Sequence, residues 1–155
     1  MLHENVTQKI LVAALNVHTA LGAGMLESTY DTCLHYEFTL EGLHFEHQVR
    51  LPVVYRGVHL DAGYRIDFLV ANCVIVELKA VEKLLPVHTA QALSYLKLSG
   101  HHVGLLINFN VSHLRHGIKR LVNGYDIPHE HGLPSASPAS SVVEEGETED
   151  RRDVD

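Results

Sequence analysis

Three charged residues interrupt apolar runs: Asp67 in Ile66-Asp67-Phe68-Leu69-Val70, and Glu77 and Lys79 in Val74-Ile75-Val76-Glu77-Leu78-Lys79. All three are odd-numbered. Side chains alternate along a strand, so Glu77 and Lys79 share one face. A turn centred on Asn72 sets position 67 opposite position 77, and two carboxylates and an amine then converge. Two carboxylates about 4 Å apart repel by about 4 kcal/mol at an effective dielectric of about 20. A salt bridge from Lys79 is the plain structural reading, since most charged residues in strands are solvated or paired. One lysine does not offset two carboxylates, whereas a divalent cation does, and hard oxygen donors suit magnesium or manganese.

The elements that would carry these residues follow from periodicity. Val6, Ile10, Ala13, Ala14, Val17 and Leu21 recur at three- and four-residue steps and predict a helix over about 5–21. Gly22-Ala23-Gly24 breaks it, and a second helix is expected over 25–40, with Gly42 as its stop. The period then becomes two. Phe45, His47, Val49 and Leu51 mark a first strand running irregularly past Pro52 to Tyr55, and Arg56-Gly57 is a turn signal. Residues 59–70 and 73–80 read as second and third strands. Pro86 opens a helix that stops at Gly100, and Val103–Phe109 is an apolar run suited to a strand buried on both faces. Leu114, Ile118, Leu121 and Val122 suggest a last helix. The expected order is α-α-β-β-β-α-β-α, an α/β fold around a mixed sheet.

The 155 residues leave room for one domain, expected over 1–128. Residues 129–155 are rich in Pro, Ser and acids and are expected to form a disordered acidic tail. Of the 19 acidic and 12 basic residues, eight and two fall in that tail, leaving 11 and 10 in the domain. The domain is thus near neutral and carries no strongly basic footprint. No apolar run is long enough to span a membrane, and the start lacks the pattern of a secretory signal. Cys33 and Cys73 form no CxxC pair, so a reducing, cytoplasmic setting is expected. The thirteen histidines are scattered without a zinc-ligand spacing.

Asp67, nine residues, then Glu77-Leu78-Lys79 resembles the catalytic signature of the PD-(D/E)XK nuclease superfamily. Upstream, Gly24-Met25-Leu26-Glu27-Ser28-Thr29-Tyr30 resembles the GxxExxY motif that names a small-protein family within it. Downstream, Gln91-Ala92-Leu93-Ser94-Tyr95 is similar to the QxxxY motif of its RecB-like branch. The resemblance covers about residues 5–125, and it implies the superfamily core α-β-β-β-α-β, which the periodicity reaches independently. It departs in one place, since Ile66 rather than Pro precedes Asp67.

The resemblance implies roles. Asp67 and Glu77 are metal ligands, with the Leu78 carbonyl as a third and Glu27 as an additional carboxylate. Lys79 orients or activates the attacking water and stabilises charge on phosphate. Gln91 and Tyr95, four apart on one helix face, position the scissile phosphate or the lysine. Gly24 and Tyr30 are architectural. The expected function is Mg²⁺- or Mn²⁺-dependent hydrolysis of phosphodiester bonds in nucleic acid, DNA ahead of RNA, with a protein partner as a possible source of specificity. The alternative is a nucleic-acid-binding or accessory protein on the same fold with little or no cleavage.

Overall fold

The computed structural model describes residues 1–124 and 141–144. Helix α1 (Glu4–Leu21) buries Ile10, Ala13, Ala14 and Val17. Helix α2 (Glu27–Leu40) buries Tyr30, Leu34 and Phe38, a row at four-residue steps. Strand β1 (Phe45–Arg50) follows, then a hairpin of β2 (Val53–Tyr55) and β3 (Val58–Leu60), then β4 (Arg65–Val70) and β5 (Val74–Lys79). Helix α3 (Pro86–Ser99) crosses to β6 (Val103–Asn108). A short 3₁₀ helix (Leu114–Gly117) leads to β7 (Ile118–Asn123), and β8 is Ser141–Glu144.

The main sheet runs β1-β4-β5-β6-β7, with β8 added beside β7. Only β5 and β6 pair in parallel; the other neighbours are antiparallel. A parallel pair needs a crossover, and α3 supplies it. Alternation along β5 divides the core in two. Val74, Val76 and Leu78 face α1 and α2, whereas Ile75 packs with Ala92, Tyr95 and Leu96 of α3. The result is three layers, with β6 buried along its whole length between them. On the α2 side, Phe38 meets Phe68 at 5.2 Å and Phe45 at 5.5 Å between ring centroids, both edge-on. Each fully buried ring contributes about 1.5–3 kcal/mol, which seats α2 over β1 and β4.

Two expectations change. The single strand expected over 59–70 is split, because Val58–Leu60 pairs only with Val53–Tyr55 as a separate two-stranded sheet. Pro52 cannot donate to a ladder, and Arg56 and Gly57 both take positive φ (51° and 79°), which suits a tight hairpin. The expected last helix is instead the 3₁₀ turn and β7. Gly117 interrupts the helical spacing, and the open edge of β6 takes up Ile118 to Val122 as a strand. Within the expected tail, Ser141–Glu144 pair with β7, and the remainder of 129–155 lies outside the described residues.

The β4–β5 turn is centred on Asn72: Val70 pairs with Val74 and Phe68 with Val76. Ala71 and Asn72 adopt φ of 50° and 53°, closed by Cys73 N–H donating to the Val70 carbonyl at 3.1 Å.

Gly117 packs against the backbone of Asn108, where an added Cβ would stand 2.1 Å from the Asn108 carbonyl oxygen. Backbone cannot yield as a flexible side chain does. Gly117→Ala is therefore expected to cost about 1–3 kcal/mol and to lower Tm by roughly 5–15 °C, read by thermal circular dichroism. An unchanged Tm would show that the turn before β7 moves freely.

Candidate active site

Regular pairing between β4 and β5 ends at Phe68 and Val76. Beyond that point carboxylates take over the ladder. The Asp67 backbone N–H donates to Glu77 Oε1 at 3.0 Å, and the Leu78 N–H donates to Asp67 Oδ2 at 2.8 Å. The sequence-derived opposition of 67 and 77 is thus realised as a reciprocal clasp. On the outer side, Gln48 of β1 takes φ of 54° and its amide donates to Asp67 Oδ1 at 3.4 Å. Pairing of β5 with β6 continues past the clasp to Lys79 and Asn108, so the site has one regular wall.

Glu77 is buried, at 6% exposure. Burial, followed by the charge of Asp67, pushes its carboxyl up to about 9. The Asp67 carboxyl is also raised, chiefly by desolvation, against the lowering effect of the Leu78 N–H. Lys79 lowers both, yet among the described residues no ion pair within 4 Å ties it to either carboxylate. A locked salt bridge is not what the geometry contains.

Glu27 opens α2 in the other helix layer, at a helix N-terminus that favours an anion. Its carboxyl is raised mainly by partial desolvation; Lys79 pulls it down, and Asp67 and Asp31 push it up. Its field therefore reaches the clasp. Gln91 and Tyr95 approach from α3, joined by an amide-to-phenol hydrogen bond of 3.1 Å. Burial raises the Tyr95 phenol, and the charges of Glu77 and Asp67 raise it further, so it stands within their field. Glu27 and Tyr95 thus interact electrostatically with the strand-end groups Asp67, Glu77 and Lys79, Gln91 is linked only through Tyr95, and Glu27 does not gather with Asp67 and Glu77 as a third carboxylate ligand. His88 accepts the Leu85 N–H at 2.9 Å as a helix cap.

Several residues that position the site carry no motif. Asn108, 2% exposed, accepts the Val81 N–H at 3.1 Å and donates to the Val81 carbonyl at 2.9 Å, fastening the chain just beyond Lys79. The same Oδ1 accepts the Asn110 N–H, and Asn110 Oδ1 accepts the Gly24 N–H at 3.1 Å. Tyr30 stacks on Phe109 at 4.6 Å, and its hydroxyl donates to the Gly22 carbonyl at 2.6 Å, as its architectural role requires. Asn-Phe-Asn directly after an apolar strand was the available signal. Asp31 and His47 form a 2.7 Å pair beside the site.

The two carboxylates suit a hard cation, because ionising both inside this clasp leaves repulsion that a divalent charge relieves. Among the described residues no three His, Cys, Asp or Glu side chains gather as a complete ligand set.

The family profile of the PD-(D/E)XK nuclease superfamily matches residues 4–121, most of the chain, and the protein belongs to that superfamily. Its members generally use divalent metals, usually Mg²⁺. No curated protein and no solved structure matches the chain. No helix among the described residues is long and apolar enough to cross a membrane.

Glu77 binds its proton more tightly in the folded protein than in the unfolded chain. Its contribution to metal-free stability is fully present below about pH 4.5 and declines as pH rises towards about 9. The slope reaches up to about 1.4 kcal/mol per pH unit. Denaturant titrations in chelator from about pH 5 to 9 should show this decline in wild type and a flatter profile in Glu77→Gln. Parallel profiles would remove Glu77 as its source.

Proposed function

We propose that the protein hydrolyses phosphodiester bonds of nucleic acid, DNA ahead of RNA, with Mg²⁺ or Mn²⁺, as a GxxExxY-type member of the RecB-like branch. The observation that carries this reading is the clasp of two carboxylates with raised pKa beside a lysine that pairs with neither, in a chain of a nuclease superfamily. Asp67 and Glu77 would hold the cation with the Leu78 carbonyl, and Glu27, which does not gather with them as a third carboxylate ligand, would act through a metal-bound water. When bound, the cation lowers the pKa of its water from about 15.7 towards about 7 and neutralises charge on the phosphate. Lys79, on the Glu77 side of β5, orients the attacking water and offsets charge developing on the phosphoryl oxygens. Gln91 and Tyr95 orient the phosphate from α3. Free Cys33 and Cys73 support a reducing, cytoplasmic setting.

The near-neutral charge of residues 1–128 favours a second reading, an accessory protein that binds without cutting and relies on a protein partner for specificity. Cleavage of labelled DNA and RNA with Mg²⁺ or Mn²⁺ separates the two. Lys79→Ala should lower the rate per folded molecule by about 10²–10⁴ while the cation still raises Tm; Glu77→Ala should lose both. Wild-type cutting by Lys79→Ala would overturn the assigned chemistry. Binding without cleavage by the wild type would favour the accessory reading.

A further inference from the structure

A cleft of about 500 Å³ lies between the β2–β3 side of the molecule and α3. That volume falls within the roughly 300–1,000 Å³ of small-molecule sites. Its walls are mostly apolar, with Val53 and Tyr64 on one side and Val87 and Leu98 on the other; none of its lining residues is acidic. Gln91 and Tyr95 line it as well, and the Tyr95 phenol feels the charges of Glu77 and Asp67. Tyr95 also packs in one core cluster with Ile66, the neighbour of Asp67, and with Ile75 of the strand that carries Glu77, so the cleft adjoins the clasp.

Tyr64 is the chemically distinctive feature. It immediately precedes β4, which carries Asp67, and its ring meets Tyr95 edge-on at 5.9 Å between centroids. It is nevertheless 42% exposed. Its backbone carbonyl accepts the Leu51 N–H at 2.9 Å, which ties this segment to the end of β1. A half-exposed aromatic beside hydrogen-bonding groups from Gln91 and Ser94 suits a planar heteroaromatic ring. The domain carries no net positive charge to strengthen binding to phosphate backbone, whereas single strands gain much of their affinity from base stacking on aromatic residues.

We propose that this cleft binds an unstacked nucleobase next to the scissile phosphate, with Tyr64 as its stacking platform, so that single-stranded nucleic acid is the preferred substrate. The proposal rests on the nuclease reading for the adjacent phosphate, and the cleft itself makes a separate demand. A base inside a duplex is covered on both faces by its neighbours and cannot enter, while a base in a single strand can. Tyr64 is a substrate-positioning residue and takes no part in bond cleavage.

The test compares a fluorescein-labelled single-stranded oligodeoxynucleotide with a blunt duplex of the same sequence, with folding checked by circular dichroism. Tyr64→Ala should raise KM for the single strand by about 5- to 100-fold, with kcat nearly unchanged and duplex cleavage little affected. Tyr64→Phe keeps the stacking face and should behave as wild type. Wild-type kinetics for Tyr64→Ala, or equal losses on both substrates, would overturn the proposal and leave the nuclease reading intact. If the wild type cuts neither substrate, the nuclease reading fails, and fluorescence anisotropy in chelator decides the cleft. Selective loss of single-strand binding by Tyr64→Ala then supports it, and equal binding by both proteins rejects it.

Discussion

Two carboxylates that repel each other stand where the β4–β5 ladder would otherwise continue, and the arrangement around them follows from holding them there. Each accepts a backbone N–H that a regular antiparallel pair would have given to a carbonyl. Those hydrogen bonds stabilise the charged forms, but desolvation outweighs them, and the metal-free clasp keeps a proton that an exposed glutamate would release. Under the proposed nuclease reading a cation would take the place of that proton, so protein stability and catalytic readiness would pull in opposite directions.

Such a clasp needs a frame that does not yield. The parallel pairing of β5 with fully buried β6 provides one wall. Asn108 provides the fastening: one side chain ties down the chain after Lys79 and the Asn110 backbone, and Asn110 in turn holds the glycine loop ahead of Glu27. Lysine and glutamate from different layers are thereby referred to the same strand end. Gly117 lets the following turn approach the Asn108 backbone closely, which explains a glycine just before β7.

Most of the frame is legible in the sequence because it obeys simple periods. Four-residue rows mark the buried faces of α1 and α2, Pro86 and Gly100 bracket α3, and odd numbering places Glu77 and Lys79 on one side of β5. The centre of the turn at Asn72 correctly sets 67 against 77. What escapes the sequence is non-local. Leu114, Ile118, Leu121 and Val122 fit a helix as well as a strand, and only the open edge of β6 selects the strand. The β2–β3 hairpin separates because Pro52 ends one ladder and a two-residue turn closes another. Asn108, Gln48 and Tyr64 contact partners remote in sequence, so no local spacing announces them.

Under the proposed function, a cation and a proton would compete for the Asp67–Glu77 clasp. Calorimetric titration of the wild type with Mn²⁺ at neutral pH, repeated in buffers of different ionisation enthalpy, measures the protons released on binding. With Glu77 pushed up to about 9, close to one proton should leave for each cation bound, and Asp67→Asn should bind far more weakly. Binding without proton release, or undiminished binding by Asp67→Asn, would contradict the account.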